Sequence, residues 1–143
     1  MTQLPSGWAM ATIAEIADVQ LGKMLDRAKN RGTPAAYLRN VNVRWGEFDL
    51  SDLREMRFTE REMGVFDIRD GDLLVCEGGE PGRAAVWRHG PTQLKYQKAL
   101  HRVRTHAAVL PDYLEYFLRH AASAGLLTPL LTGSTIKHLP RTA

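Results

Sequence analysis

Residues 70–88 read DGDLLVCEGGEPGRAAVWR, and this stretch decides the fold class. Asp70-Gly71-Asp72 is a turn signal, and Leu73–Cys76 is an apolar run too short for a helix but right for a buried strand. Glu77-Gly78-Gly79-Glu80-Pro81-Gly82 gathers Gly and Pro where a chain must reverse. Arg83–Trp87 then supplies a second short apolar run. Residues 72–88 therefore predict an antiparallel hairpin, the signature of a sheet built from short neighbouring strands.

Working outward, the same grammar repeats. Val19–Leu21 alternates like a strand and stops at Gly22, after a short helical face of Ile13, Ile16 and Ala17. That helix has Thr12 as N-cap and Glu15 three residues on. Residues 22–34 form a polar basic loop carrying Lys23, Arg27, Lys29 and Arg31. Tyr37–Val43 alternates as a strand leading to a turn at Gly46, and Thr59–Met63 fits one helical turn. Lys98–Arg104 reads as a strand with Lys98, Leu100, Arg102 and Arg104 on one face. Pro111 opens the clearest helix, with Tyr113, Leu114, Phe117, Leu118 and Ala121 on one side and Gly125 to end it. Trp8, Trp87, Tyr113 and Phe117 are read as core. The sum is α+β: a single mixed domain, residues 1–143, of short, largely antiparallel strands with a few helices.

Composition agrees. With 143 residues, 44% hydrophobic and 24% charged, the chain can bury a core without staples and is not a disordered sequence. Cys76 is the only cysteine, which excludes an internal disulfide and Cys-based zinc clusters. No apolar run approaches the roughly 20 residues of a membrane helix, and the N-terminus lacks the regions of a secretory signal. The expectation is a soluble, cytoplasmic protein with no membrane partner.

Charge is unevenly placed. Residues 1–80 hold 10 Lys/Arg against 14 Asp/Glu, whereas residues 81–143 hold 9 against 2. Between Glu80 and Asp112 there is no acid, but there are Arg83, Arg88, Lys95, Lys98, Arg102 and Arg104. Such a half suits either a polyanionic partner, nucleic acid foremost, or a solvated basic face.

Catalytic patterns are weak. The Glu77–Arg83 loop lacks the Lys-Ser/Thr pair of a phosphate-binding P-loop. The five histidines form no metal-binding pair, and Asp70-Gly71-Asp72 lacks the spaced ligands of a calcium loop. Ser134, in Thr132-Gly133-Ser134-Thr135-Ile136-Lys137, has no nucleophile elbow. That stretch suits either a phosphate contact or a helix cap. No methyl-donor or methyltransferase motif is present, so neither cofactor nor catalysis is expected.

Several segments, taken in order, resemble one family. They are Gly7-Trp8, the Ile13/Ile16 helix, Gly22, Tyr37–Val43, Gly46-Glu47-Phe48-Asp49, Asp70–Val75, Gly82–Ala85, Tyr113–Leu118 and Thr132–Leu139. Together they resemble a target recognition domain of type I restriction–modification specificity subunits. The resemblance implies sequence-specific recognition of double-stranded DNA, with each such domain specifying one half of a bipartite target. It also implies a methyltransferase subunit and a restriction subunit as partners, and no catalytic activity of its own. The family's long helix would follow Leu139-Pro140, so a chain ending at Ala143 is expected to be an isolated N-terminal recognition domain, either a fragment or a truncated half-subunit.

On this reading Lys98, Arg102, Arg104 and Lys137, assisted by Ser134, contact phosphates. Lys23, Arg27, Arg31, Arg39, Asn42 and Gln97 are the candidates for reading bases. The alternative is a protein-interaction module that docks on the methyltransferase or self-associates, for which Leu126, Leu127, Leu130 and Leu131 would form the patch.

Overall fold

The computed structural model describes residues 5–9, 11–26 and 28–125. Its centre is the hairpin read from residues 72–88. Strands β6 (Leu73–Cys76) and β7 (Ala84–Val86) pair antiparallel, with Leu73 opposite Val86 and Val75 opposite Ala84. The tight entry works because Gly71 sits at φ +91° and its N–H donates to the Trp87 carbonyl at 2.7 Å. On the other side of β6 lies β9 (Leu100–Thr105), and beyond it β1 (Ala17–Leu21), giving an antiparallel sheet of order β1-β9-β6-β7.

Both faces of this sheet are buried, which explains why β6 is a continuous apolar run rather than an alternating one. Leu74, Cys76, Ala85, Trp87 and Leu100 pack on one face with Leu38, Val43 and Tyr96. Leu73, Val75, Ala84, Val86 and Val103 pack on the other, under Leu114 and Leu118 of helix α3 (Pro111–Ser123).

A second sheet has the order β5-β2-β8, from β2 (Thr33–Leu38), β5 (Arg54–Phe58) and β8 (Lys95–Tyr96); β2 is antiparallel to β5 and parallel to β8. A small hairpin of β3 (Val43–Arg44) and β4 (Glu47–Phe48) completes the strands. Helix α1 (Ile13–Ile16) begins as expected: the Thr12 N–H and hydroxyl both donate to Glu15 Oε1. Helix α2 (Glu60–Val65) has a reciprocal cap, the Thr59 N–H donating to Glu62 Oε1 and the Glu62 N–H to the Thr59 hydroxyl oxygen. The α+β reading, with largely antiparallel strands, holds.

Three expectations change. The strand read over Tyr37–Val43 is split, because β2 ends at Leu38 and Asn40–Asn42 is a 3-10 turn. Asn42 causes this. Its Oδ1 accepts the Arg39 N–H at 2.8 Å, and its Nδ2 donates to the Asp49 and Asp52 carbonyls at 2.9 and 3.0 Å. A side chain that bonds nearby backbone competes with the strand ladder.

The strand read over Lys98–Arg104 starts two residues later, Lys98 and Ala99 forming a turn. Its basic face is also not a surface. Arg102 is buried, and its Nη1 donates to Asp67 Oδ1 (2.6 Å) and to the Asp67 and Val65 carbonyls. Arg104 forks onto Asp72 through Nε and Nη2, both at 2.8 Å, and Asp72 is itself 1% exposed.

Trp87 is core, but Trp8, Tyr113 and Phe117 are each more than half exposed. A helix lying on one sheet face buries a single stripe, and Leu114, Leu118 and Ala121 occupy it. Tyr113 and Phe117 sit one position to its side.

Candidate nucleic-acid interface

The acid-free basic stretch 81–111 does not stay basic once folded. Arg83 pairs with Glu80, Arg88 with Asp112, Arg102 with Asp67, and Arg104 with Asp67 and Asp72. Burial pushes the Asp67 carboxyl upward, but Arg104, Arg69 and Arg102 outweigh it and hold that carboxyl below its ordinary range. Lys95 is buried, and that burial draws its ammonium pKa down. Within this stretch only Lys98 is both exposed and without an acidic partner among the described residues.

Lys98 stands on the rim of an open groove of about 590 Å³, a size usual for ligand clefts. The groove is hung on the turn of residues 97–99, which is tied by main-chain bonds to three separate segments. The Gln97 N–H donates to the Leu38 carbonyl, the Lys98 N–H to the Lys23 carbonyl, and the Glu77 N–H to the Ala99 carbonyl, each at 2.9 Å. Gly22 permits the closest approach, since a Cβ there would lie 2.1 Å from the Gln97 carbonyl oxygen. Met24 and Leu25, the hairpin tip at Glu77–Gly79, and the carboxamide residues Asn40 and Gln97 line it with Lys98 and Ala99.

The carboxylates of the hairpin loop are occupied by their own partners. Glu77 Oε2 lies 3.1 Å from His101 Nε2, and Glu80 accepts from Arg83 (2.9 Å) and from Trp45 Nε1 (3.2 Å). The Arg83 hydrogen bond, against the pull of burial, holds the Glu80 carboxyl below its usual value. Cys76, behind this loop, is buried, and its thiol is pushed up to about 11, so it is no nucleophile at neutral pH. Among the described residues no group of three metal-ligating side chains is gathered, and no helix is long and apolar enough to cross a membrane.

The expected site residues fall into different places. Gln97 and Lys98 line the groove. Arg31 does not line it; it is exposed on the basic loop, its Nη1 donating to the Ala28 and Asn30 carbonyls. Lys23 is buried at the loop's root, its Nζ on Glu62 Oε1 (2.6 Å) and the Arg57 carbonyl (2.7 Å). Arg39 is held by Asp52 (3.0 Å), and Asn42 is the buried clamp of the 3-10 turn. Arg102 and Arg104 knit the strands to the Asp67–Asp72 segment. Arg27, Ser134 and Lys137, with the leucines of 126–131, lie outside the described residues.

Sequence reasoning missed Asn40 and Met24. In a strand Asn40 and Asn42 share one face, whereas the 3-10 turn buries one and leaves the other on the groove. The signal available was the pair of asparagines in Arg39-Asn40-Val41-Asn42, since asparagine favours turns over strands.

No protein-family model matches this sequence, and no curated protein matches it. Solved structures do. The HsdS subunit from Thermoanaerobacter tengcongensis superposes with a TM-score of 0.62 at 17% identity, over 97% of this chain and 34% of that one. The S subunit of a type I restriction–modification system from M. genitalium gives 0.54 at 15% identity, over 98% and 33%. A structure from work on complex assembly and conformational transition of the type I R-M system gives 0.61 at 16% identity, over 86% and 30%. The chain spans about a third of the length of each. Its fold is that of a portion of the type I restriction–modification S subunits.

Proposed function

We propose that this chain is a target recognition domain. It binds double-stranded DNA sequence-specifically and specifies one half of a bipartite target for a type I restriction–modification complex. It is non-catalytic; a DNA-adenine methyltransferase subunit, with a restriction subunit, acts where it points. The observation that carries this reading is the fold likeness across nearly the whole chain to S subunits. The open groove supports it, because its unpaired Lys98 ammonium and its carboxamides suit a phosphate backbone and base edges.

In this mechanism Lys98, with the exposed Lys29 and Arg31 of the basic loop, displaces counterions from phosphates and sets register. Groove side chains then discriminate bases. Arg102, Arg104 and Lys23 act indirectly, by fixing the strands and the loop root that carry those groups. Arg27, Ser134 and Lys137 remain candidates for further contacts.

The test is selection of duplexes from a randomised pool, with a methyltransferase subunit supplied, followed by sequencing. Enrichment of one short motif is expected; binding without enrichment refutes recognition. Lys98→Ala is expected to weaken all duplexes alike and to lower the log–log salt slope by about 0.9.

A second reading is favoured by one feature. Leu110, Tyr113, Tyr116 and Phe117 leave an exposed apolar face on α3, between 52% and 72% exposed. It suits a protein-interaction module that docks on the methyltransferase or on another copy. Concentration-dependent association that ignores salt, without duplex binding, would favour it.

A further inference from the structure

Two of the residues that line the groove, Asn40 and Gln97, carry carboxamides, and neither side chain makes a hydrogen bond among the described residues. Both residues are half-buried. By contrast Asn42, two residues along the chain, has its amide on three main-chain groups. Each carboxamide offers a donor and an acceptor side by side, the pattern that matches N6 and N7 of adenine in the major groove. Asparagine and glutamine make that bidentate contact, whereas guanine is served by Arg or Lys.

The placement of the two amides is enforced by backbone. The Gln97 N–H is anchored on the Leu38 carbonyl, two residues before Asn40. Asn40's own carbonyl accepts from Arg83 Nη2 at 3.0 Å. Against Asn40 stands Gly79 at φ +75°, where any Cβ would come within 2.9 Å of Asn40 Nδ2. A side chain at residue 79 would push the Asn40 amide from its present position.

The remaining wall completes the match. Met24, 59% exposed, offers a polarisable apolar side chain on the same groove. An A·T pair is the one that presents a methyl group, on thymine, beside adenine's N6 and N7.

We infer that Asn40 and Gln97 are specificity-determining residues that read the major-groove edge of adenine, with Met24 against the thymine methyl, so that this groove selects A·T pairs. The inference rests on the DNA-recognition reading and adds to it which residues discriminate and what they select.

The experiment takes the duplex enriched by the full 143-residue chain and replaces each adenine by 7-deazaadenine and each thymine by uracil, one at a time. Loss of a bidentate contact is worth roughly 5- to 150-fold in affinity. At one or two adjacent A·T positions, 7-deazaadenine is expected to weaken binding within that range, and uracil to weaken it by less. In Asn40→Ala and Gln97→Ala the same positions lose their preference, and 7-deazaadenine has no further effect there. If a motif is enriched but no position responds to 7-deazaadenine, or both variants keep the wild-type preference, the assignment is overturned and recognition stands. If no motif is enriched, recognition fails and the assignment falls with it.

Discussion

Replacing Arg104 by methionine is expected to damage the fold and leave DNA discrimination intact. Arg104 Nε and Nη2 both donate to the Asp72 carboxylate at 2.8 Å, and Nη2 also reaches Asp67 at 3.3 Å. Asp72 is 1% exposed, so methionine fills the volume but strands a buried charge. Removing one partner of a buried pair costs about 3–5 kcal/mol. Two features lower that figure: the Arg104 side chain is 23% exposed, and Asp72 keeps the Arg69 N–H at 2.7 Å. The expected cost is therefore at the bottom of the range, about 3 kcal/mol. For 143 residues, the unfolding entropy makes that a fall in Tm of about 10 °C. Denaturant unfolding with a double-mutant cycle through Asp72→Asn measures it, and the double variant should cost less than the sum of the singles. Motif preference of the folded protein should match the wild type. A loss under about 1 kcal/mol would mean the pair behaves as an exposed one, and the reasoning fails.

Asp67 has its carboxyl held below the ordinary value of 3.8, so it contributes stability above that pH which is lost as pH falls through the lower folded value. Asp67→Asn should flatten this acid limb in melts recorded from neutral pH downward; an unchanged acid limb would contradict the assignment. Tyr96→Phe removes a hydroxyl buried without a hydrogen-bond partner among the described residues. Stability should stay level or rise by up to about 1 kcal/mol, and a clear loss would reveal a partner for that hydroxyl. Gly22→Ala forces a methyl group onto the Gln97 carbonyl and should cost more than about 2 kcal/mol. A melt within two degrees or so of wild type would refute that close approach.

The hairpin and the first helix cap were legible because their signals are local. Asp70-Gly71-Asp72 and Gly78–Gly82 leave a short apolar run few alternatives, and Thr12 and Glu15 stand three residues apart before an apolar face. Charge was not legible in the same way. Arg102 and Arg104 sit far along the chain from Asp67 and Asp72, and only the packing of β9 beside β6 makes them partners. A basic stretch in one dimension thus became a network of internal pairs in three. The groove was half legible. Gln97 and Lys98 are candidate contacts from residue type and charge, though Lys98 reads as the first residue of a strand, whereas Asn40 needed the 3-10 turn that Asn42 imposes. Alternation along Tyr37–Val43 concealed that turn, because a side chain bonding backbone leaves no trace in hydrophobic periodicity. The same periodicity assigned Tyr113 and Phe117 to the core, where the sheet had room for one stripe of α3.

The turn of residues 97–99 is fastened through peptide groups, and the side chains that point into the groove take no part in the fastening. Stability and selectivity are thereby written in different atoms. Met24, Asn40, Gln97 and Lys98 can each be exchanged at little cost to folding, since surface changes away from caps and buried pairs usually shift stability by under about 0.5 kcal/mol. If the groove reads DNA as proposed, exchanges at these four positions would change what it selects while the main chain beneath stays in register.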